Sequence, residues 1–148
     1  MKQLEFNIVN NKYLEVLDFT WWIKRIDAIY ISHSEMGKKG EYALFIQQGD
    51  EVVELYYRTK DELKISAEFK RLSDSLMQVS KGFKNVGIST LLNFNNVTDI
   101  KLKKGLFSNL IITKFKDGEL IRENASKSLY NEMQNTLKNV QIDNSLAK

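Results

Sequence analysis

The chain carries one histidine, no cysteine and 19 carboxylates, so any catalytic chemistry would have to be assembled from acids, hydroxyls and lysines. His33 stands between Ser32 and Ser34 at the end of a β-rich segment. A hydrolytic triad needs a base oriented by an acid and aimed at a nucleophile, and adjacency along an extended chain does not supply that geometry. His33 is therefore read as a solvated turn residue. Paired acids occur at Glu51 and Glu54, Asp61 and Glu62, and Asp117 and Glu119. They could divide acid and base work if the fold set them at the right separation. Their positions have simpler causes, because aspartate suits turns and acids suit the positive end of a helix dipole. One histidine without cysteine leaves no four-ligand zinc site, and no EF-hand spacing is present. The loop "MGKKGE" (Met36 to Glu41) lacks the GxxxxGK spacing of a phosphate-binding loop. The expectation is a protein without catalytic turnover, metal or cofactor.

What remains is charge and surface. Residues 1–80 hold 11 basic and 13 acidic side chains, whereas residues 81–148 hold 11 and 6, so the total of +3 divides into −2 and +5. Lys101 and Lys103 alternate with Ile100 and Leu102, which on a strand puts the lysines on the face opposite the core. Lys104, Lys114 and Lys116 lie on the same or the adjoining strand, and Tyr30 aligns with Lys101 at a spacing of 71 residues. Lys101, Lys103, Lys104, Lys114, Lys116 and Tyr30 are thus candidates for binding single-stranded nucleic acid, lysines following phosphates while the aromatic stacks on a base. Eighteen of the 22 basic residues are lysine, which lacks the fork that reads base edges. A second set, Trp22, Tyr56 and Tyr57, has the residue types of protein-interface anchors. Trp21 and Trp22 cannot both face inward on an extended strand. Trp21 aligns with apolar Leu92 and is assigned to the core, leaving Trp22 as the contact.

The elements that would position these residues follow from the apolar pattern. "WWIKRIDAIYIS" (Trp21 to Ser32) is matched by "LNFNNVTDIKLK" (Leu92 to Lys103), with Trp21 on Leu92, Ile23 on Phe94, Ile26 on Val97, Ile29 on Ile100 and Ile31 on Leu102. The step from Ile23 to Ile26 breaks the period of two, as a bulge or tight bend would. Strands are predicted at Lys12 to Trp22, Ile26 to His33, Glu41 to Gln48 and Glu51 to Arg58, and again at Ile88 to Phe94, Val97 to Lys104, Leu106 to Phe115 and Glu119 to Asn124. A further strand is expected near Leu4 to Val9. Thr59 with Glu62 makes a capping box before a helix whose Ile65, Phe69, Leu72, Leu76 and Val79 share one face. Ser126 would cap a second helix, with Leu129, Met133, Leu137 and Val140 inward.

The fold class expected is α+β, a tandem repeat in which a four-stranded antiparallel meander and one helix (ββββα) occur twice and pack together. Its units are residues 1–80 and 88–140, joined by a linker at 81–87 and followed by a frayed tail at 141–148. At the level of strand order, four strands then a helix is similar to the Whirly and Pur families, which bind single-stranded nucleic acid. The functional expectation is a small cytoplasmic interaction protein, an accessory or inhibitor module binding a protein partner or itself as a homo-oligomer. Single-stranded nucleic acid is the alternative ligand. Absence of an apolar run of about 18 residues argues against a membrane span. A lysine-, asparagine- and isoleucine-rich composition is also common in phage-encoded proteins of low-GC hosts.

Overall fold

The structure, a computed structural model, describes residues 3–33, 39–55 and 57–146. Strands β1 (Phe6–Val9), β2 (Tyr13–Val16) and β3 (Phe19–Trp22) form an antiparallel meander. The segment from Lys12 to Trp22, expected as one strand, is thus a hairpin. Its two-residue turn is Leu17 and Asp18, with Leu17 held at a φ of 56°. Such a turn ordinarily announces itself with glycine or asparagine at the first position, and leucine there conceals it. Next come β4 (Ala28–His33), β5 (Tyr42–Gln48), β6 (Glu51–Glu54) and helix α1 (Glu62–Val79). The second half supplies β7 (Phe83–Val86), β8 (Thr90–Asn93), β9 (Val97–Lys104), β10 (Asn109–Phe115), β11 (Leu120–Asn124) and helix α2 (Lys127–Leu146).

These strands make three sheets, ordered β1-β2-β3, β6-β5-β4-β8-β7 and β11-β10-β9, and that arrangement overturns the expected ββββα repeat. The reason is a pairing between halves: β4 joins β8 through Ala28↔Leu92, Ile29↔Leu91 and Tyr30↔Thr90. Residues 81–87 therefore carry a strand with buried Phe83 and Val86 rather than a linker. Helix α2 continues to Leu146, through most of the segment expected to fray. With the four-strand unit gone, the likeness in strand order to Whirly and Pur proteins lapses as well. What recurs at the 71-residue spacing is local. Short 3-10 turns occupy Ile23–Arg25 and Phe94–Asn96, the tight bend rather than the bulge of the two forms expected there, and each buries its first residue.

The five-stranded sheet is covered on both faces. Ile29, Leu44, Ile46 and Leu91 pack with Leu14, Val16 and Trp21 of the first sheet and with Ile65, Phe69, Leu72 and Leu76 of α1. Ala28, Val86 and Leu92 pack with Ile100, Ile111 and Phe115 of the third sheet and with Met133, Leu137 and Val140 of α2. Burial on both faces explains why β5 and β8 are apolar at consecutive positions instead of alternating. Helix α1 is capped by Asp61, which accepts from the Leu63 and Lys64 amides, and not by Thr59. Thr59 instead bridges to Tyr42 through reciprocal backbone bonds. Ser126 does cap α2, accepting from the Leu129 amide at 3.1 Å. Among the described residues no helix is long and apolar enough to cross a membrane.

Trp21 is 5% exposed within the first core, and Trp22 is half-buried on the other face of β3. Trp21→Ala should therefore cost about 3 to 5 kcal/mol in urea unfolding, as truncating a buried aromatic does. Trp22→Ala should cost about 1 kcal/mol or less, because its surface is only partly withdrawn from water. Equal losses would remove the inside-outside assignment.

Candidate nucleic-acid interface

The third sheet has one face against α2 and the central sheet, and its register fixes what the other face carries. Lys101 pairs with Ile112, Lys103 with Leu110 and Asp99 with Lys114, while β11 sets Arg122 beside Ile112, Leu120 beside Lys114 and Asn124 beside Leu110. Directly paired residues share a side of a sheet, so Lys101, Lys103, Lys114 and Arg122 project together. Between them lie Leu110, Ile112 and Leu120, partly exposed. Inward, Ile100, Ile111, Thr113 and Phe115 are buried. Asp99 is the acid on this face, 3.8 Å from the Lys101 ammonium in a solvated pair, and such pairs contribute little.

Not every expected site residue joins this group. Lys104 follows Lys103, so strand alternation turns it toward the opposite side at the hairpin end, where it faces Asn109. Lys116 sits at the far end of the sheet, its amide bonded to the Asn96 carbonyl, near Lys24 and Arg25. Tyr30 belongs to the central sheet, stacks on Phe45 at 5.5 Å and packs against the second core. Its ring is thus engaged in the central sheet, where it lines a cleft with Leu120 and Arg122. Arg122 was missed, although the alternation of "LIREN" places it opposite Ile121 and so outward.

The protein-interface candidates fare differently. Tyr57 is 3% exposed, inside the first core. Trp22 is covered by its own neighbours: the Lys24 ammonium lies 3.9 Å and the Arg25 guanidinium 4.6 Å from its ring, with Tyr13 alongside at 6.3 Å. Tyr56 lies outside the described residues. The expected protein-interaction module thus loses Trp22 and Tyr57 as anchors and is set aside, a correction that follows from burial and from cation-π contacts that already occupy the indole.

A second polar cluster ties the two halves together. Asp27, 2% exposed, accepts from the Gly49 amide at 3.0 Å and from the Asn96 side-chain amide at 3.1 Å, and is hydrogen-bonded to Asp117. Asn93 and Asn96 also donate to the carbonyls of Ile26 and Lys24. The turn after β5 and the turn after β10 therefore meet at a carboxyl pair. Burial, the Asp117 hydrogen bond and its negative charge push Asp27 up to about 7, against the lowering effect of the Gly49 and Asn96 donors. None of the three carboxylate pairings suggested by sequence spacing includes Asp27.

No protein-family model matches the chain, and no curated protein does. Among solved structures, a LytTr DNA-binding domain from Bacillus cereus is similar at 13% identity and a TM-score of 0.44, over 93% of this chain and 98% of that one. At that identity and TM-score the likeness transfers neither a fold nor a role. The functional reading rests on the surfaces described above.

The carboxyl pair predicts a pH dependence with a definite sign. An unfolded aspartate titrates near 3.9, so between there and about 7 the native Asp27 holds a proton that the unfolded chain has released. Its contribution to stability is then fullest below pH ~4, falls as pH rises to about 7, and is level above. Glu123, also raised by burial, adds a term of the same sign. Asp117→Asn removes the partner charge while its amide oxygen can still accept the Glu119 amide, bonded at 2.9 Å to Asp117 Oδ1. This variant should be more stable than the parent at pH 8 by about 1 to 2 kcal/mol and closer to it at pH 5. Urea unfolding of both proteins at the two pH values measures the difference, and a pH-independent difference would separate Asp117 from the titration.

Proposed function

We propose that this protein binds nucleic acid through the outer face of β9, β10 and β11 and carries out no chemistry on it. The observation that supports the reading is the convergence of Lys101, Lys103, Lys114 and Arg122 on one solvent face with a single acid among them. Lysines two apart on a strand recur at about 6.8 Å, and neighbouring strands lie about 4.8 Å apart, so the face is a grid of point charges. Such a grid serves mainly to neutralise phosphates, because three of its four cations are ammonium groups, which lack the planar fork used for guanine. Leu110, Ile112 and Leu120 between the cations give sugars and bases an apolar floor. A single strand fits this face better than a duplex, since a three-stranded sheet is broader than the helix or two-stranded ribbon that a major groove admits. With nucleic acid as ligand, the cytoplasm is the compartment we propose.

Four phosphate contacts imply moderate affinity and a slope of log K against log salt of about −3 for a single strand. Titration of mixed-sequence single-stranded DNA at several salt concentrations should show that slope. Reversing Lys101, Lys103 and Lys114 to glutamate should abolish binding with stability changed by about 0.5 kcal/mol per site or less. Reversing Lys64 and Lys70 on α1 should leave affinity within about threefold. Absence of binding even at low salt would overturn the proposal, and loss of binding in the α1 variant would move the site to the helix.

A further inference from the structure

The turn between β9 and β10 presents two bulky apolar side chains to solvent: Leu106 is 91% exposed and Phe107 96%. Other strongly exposed hydrophobics among the described residues, such as Leu63, Ile88 and Leu146, stand singly, and scattered apolar residues need no explanation. Leu106 and Phe107 are adjacent, and their turn is closed firmly. The Gly105 amide donates to the Ser108 carbonyl at 3.0 Å, and a Cβ at Gly105 would meet that same oxygen at 2.4 Å. Only glycine fits there without displacing backbone, so the turn is tight and holds its two tip residues away from the sheet. The last pairs before the tip are Lys103↔Leu110 and Lys104↔Asn109. By alternation Lys103 points to the outer face and Lys104 to the other, so two cations straddle the apolar tip.

We infer that Leu106 and Phe107 form a wedge that contacts unpaired bases, Phe107 stacking on one base and Leu106 packing beside it while Lys103 and Lys104 hold the flanking phosphates. The inference rests on the nucleic-acid reading and extends it to the class of ligand: single-stranded or unstacked nucleic acid. It also supplies the aromatic that the lysine face otherwise lacks, since Tyr30 is engaged with Phe45. Charge complementarity selects the occupant, because an apolar tip between two ammonium groups matches a chain that alternates phosphates with flat apolar rings. Insertion of Phe or Leu between bases is a known use of such side chains.

The full-length protein and its Phe107→Ala, Leu106→Ala and Lys103→Ala/Lys104→Ala variants should be titrated with an oligonucleotide carrying 2-aminopurine, at several salt concentrations, and with the matching duplex. Loss of one stacked base corresponds to roughly tenfold weaker binding. Phe107→Ala should show that loss with an unchanged salt slope, and should no longer quench the fluorescent base. The lysine variant should lower the slope by about 1.4. If Phe107→Ala binds as tightly as the parent, the wedge is wrong while the lysine face stands. Preference for the duplex would also overturn the wedge. If no variant or parent binds nucleic acid, both readings fail. Sedimentation with phosphatidylserine-containing vesicles, lost on Phe107→Ala, would then assign the tip to a lipid surface instead.

Discussion

Three residue pairs between β4 and β8 organise the whole molecule. Without them the chain would be two small meanders, each with a helix on one face. With them, strands from both halves form one sheet, and that sheet must be apolar on both sides because a three-stranded sheet and a helix close over each face. The pairing is short, and polar contacts beside it fix its register: the Asn93 amide donates to the Asp27 carbonyl and the Asn93 side chain to the Ile26 carbonyl. Buried polar groups specify geometry in this way because each unmet donor or acceptor would carry a desolvation penalty. Asp27 and Asn96 extend the lock to the third sheet.

The same constraint explains the unequal charge of two matching segments. Tyr30 and Ser32 stand where Lys101 and Lys103 stand 71 residues later. Strand β4 lies at the centre of the middle sheet, where a lysine at position 30 would be driven into the second core. Strand β9 is an edge strand of the outermost sheet, so every second position faces water. Charge at 101 and 103 is tolerated by topology, and the basic character of the second half is concentrated where the fold leaves a face open.

Much of the secondary structure was legible because periodicity is a local property. Ile65, Phe69, Leu72 and Leu76 line the buried face of α1, and Met133, Leu137 and Val140 that of α2, as their spacing required. Lys101 and Lys103 share a face for the same reason, and the register of β9 with β10 brings Lys114 to the same side. What escaped was nonlocal or concealed. A strand whose partner lies across the sequence, as β8 pairs with β4, looks identical to one in a meander. Leucine in the turn after β2 hid a hairpin, and the glycines flanking β7 disguised a strand as a linker. The Asp27–Asp117 pair spans ninety positions and leaves no pattern in the sequence at all. Leu106 and Phe107 were absorbed into a strand because apolar residues next to strand formers look like its beginning.

The shared sheet also governs the order in which the chain can be completed as it is made. Strand β4 ends at His33, but β8, which closes its free edge, ends at Asn93, 60 residues later. At roughly 5 to 20 residues per second of synthesis, the edge of β4 waits several seconds for its partner, with its backbone donors and acceptors on that side unpaired. Strand edges in that condition invite pairing with other chains. The absence of proline spares the nascent chain the tens of seconds that X-Pro isomerisation would add, so the exposed interval is set by the ribosome and the length of the intervening segment rather than by the peptide bond.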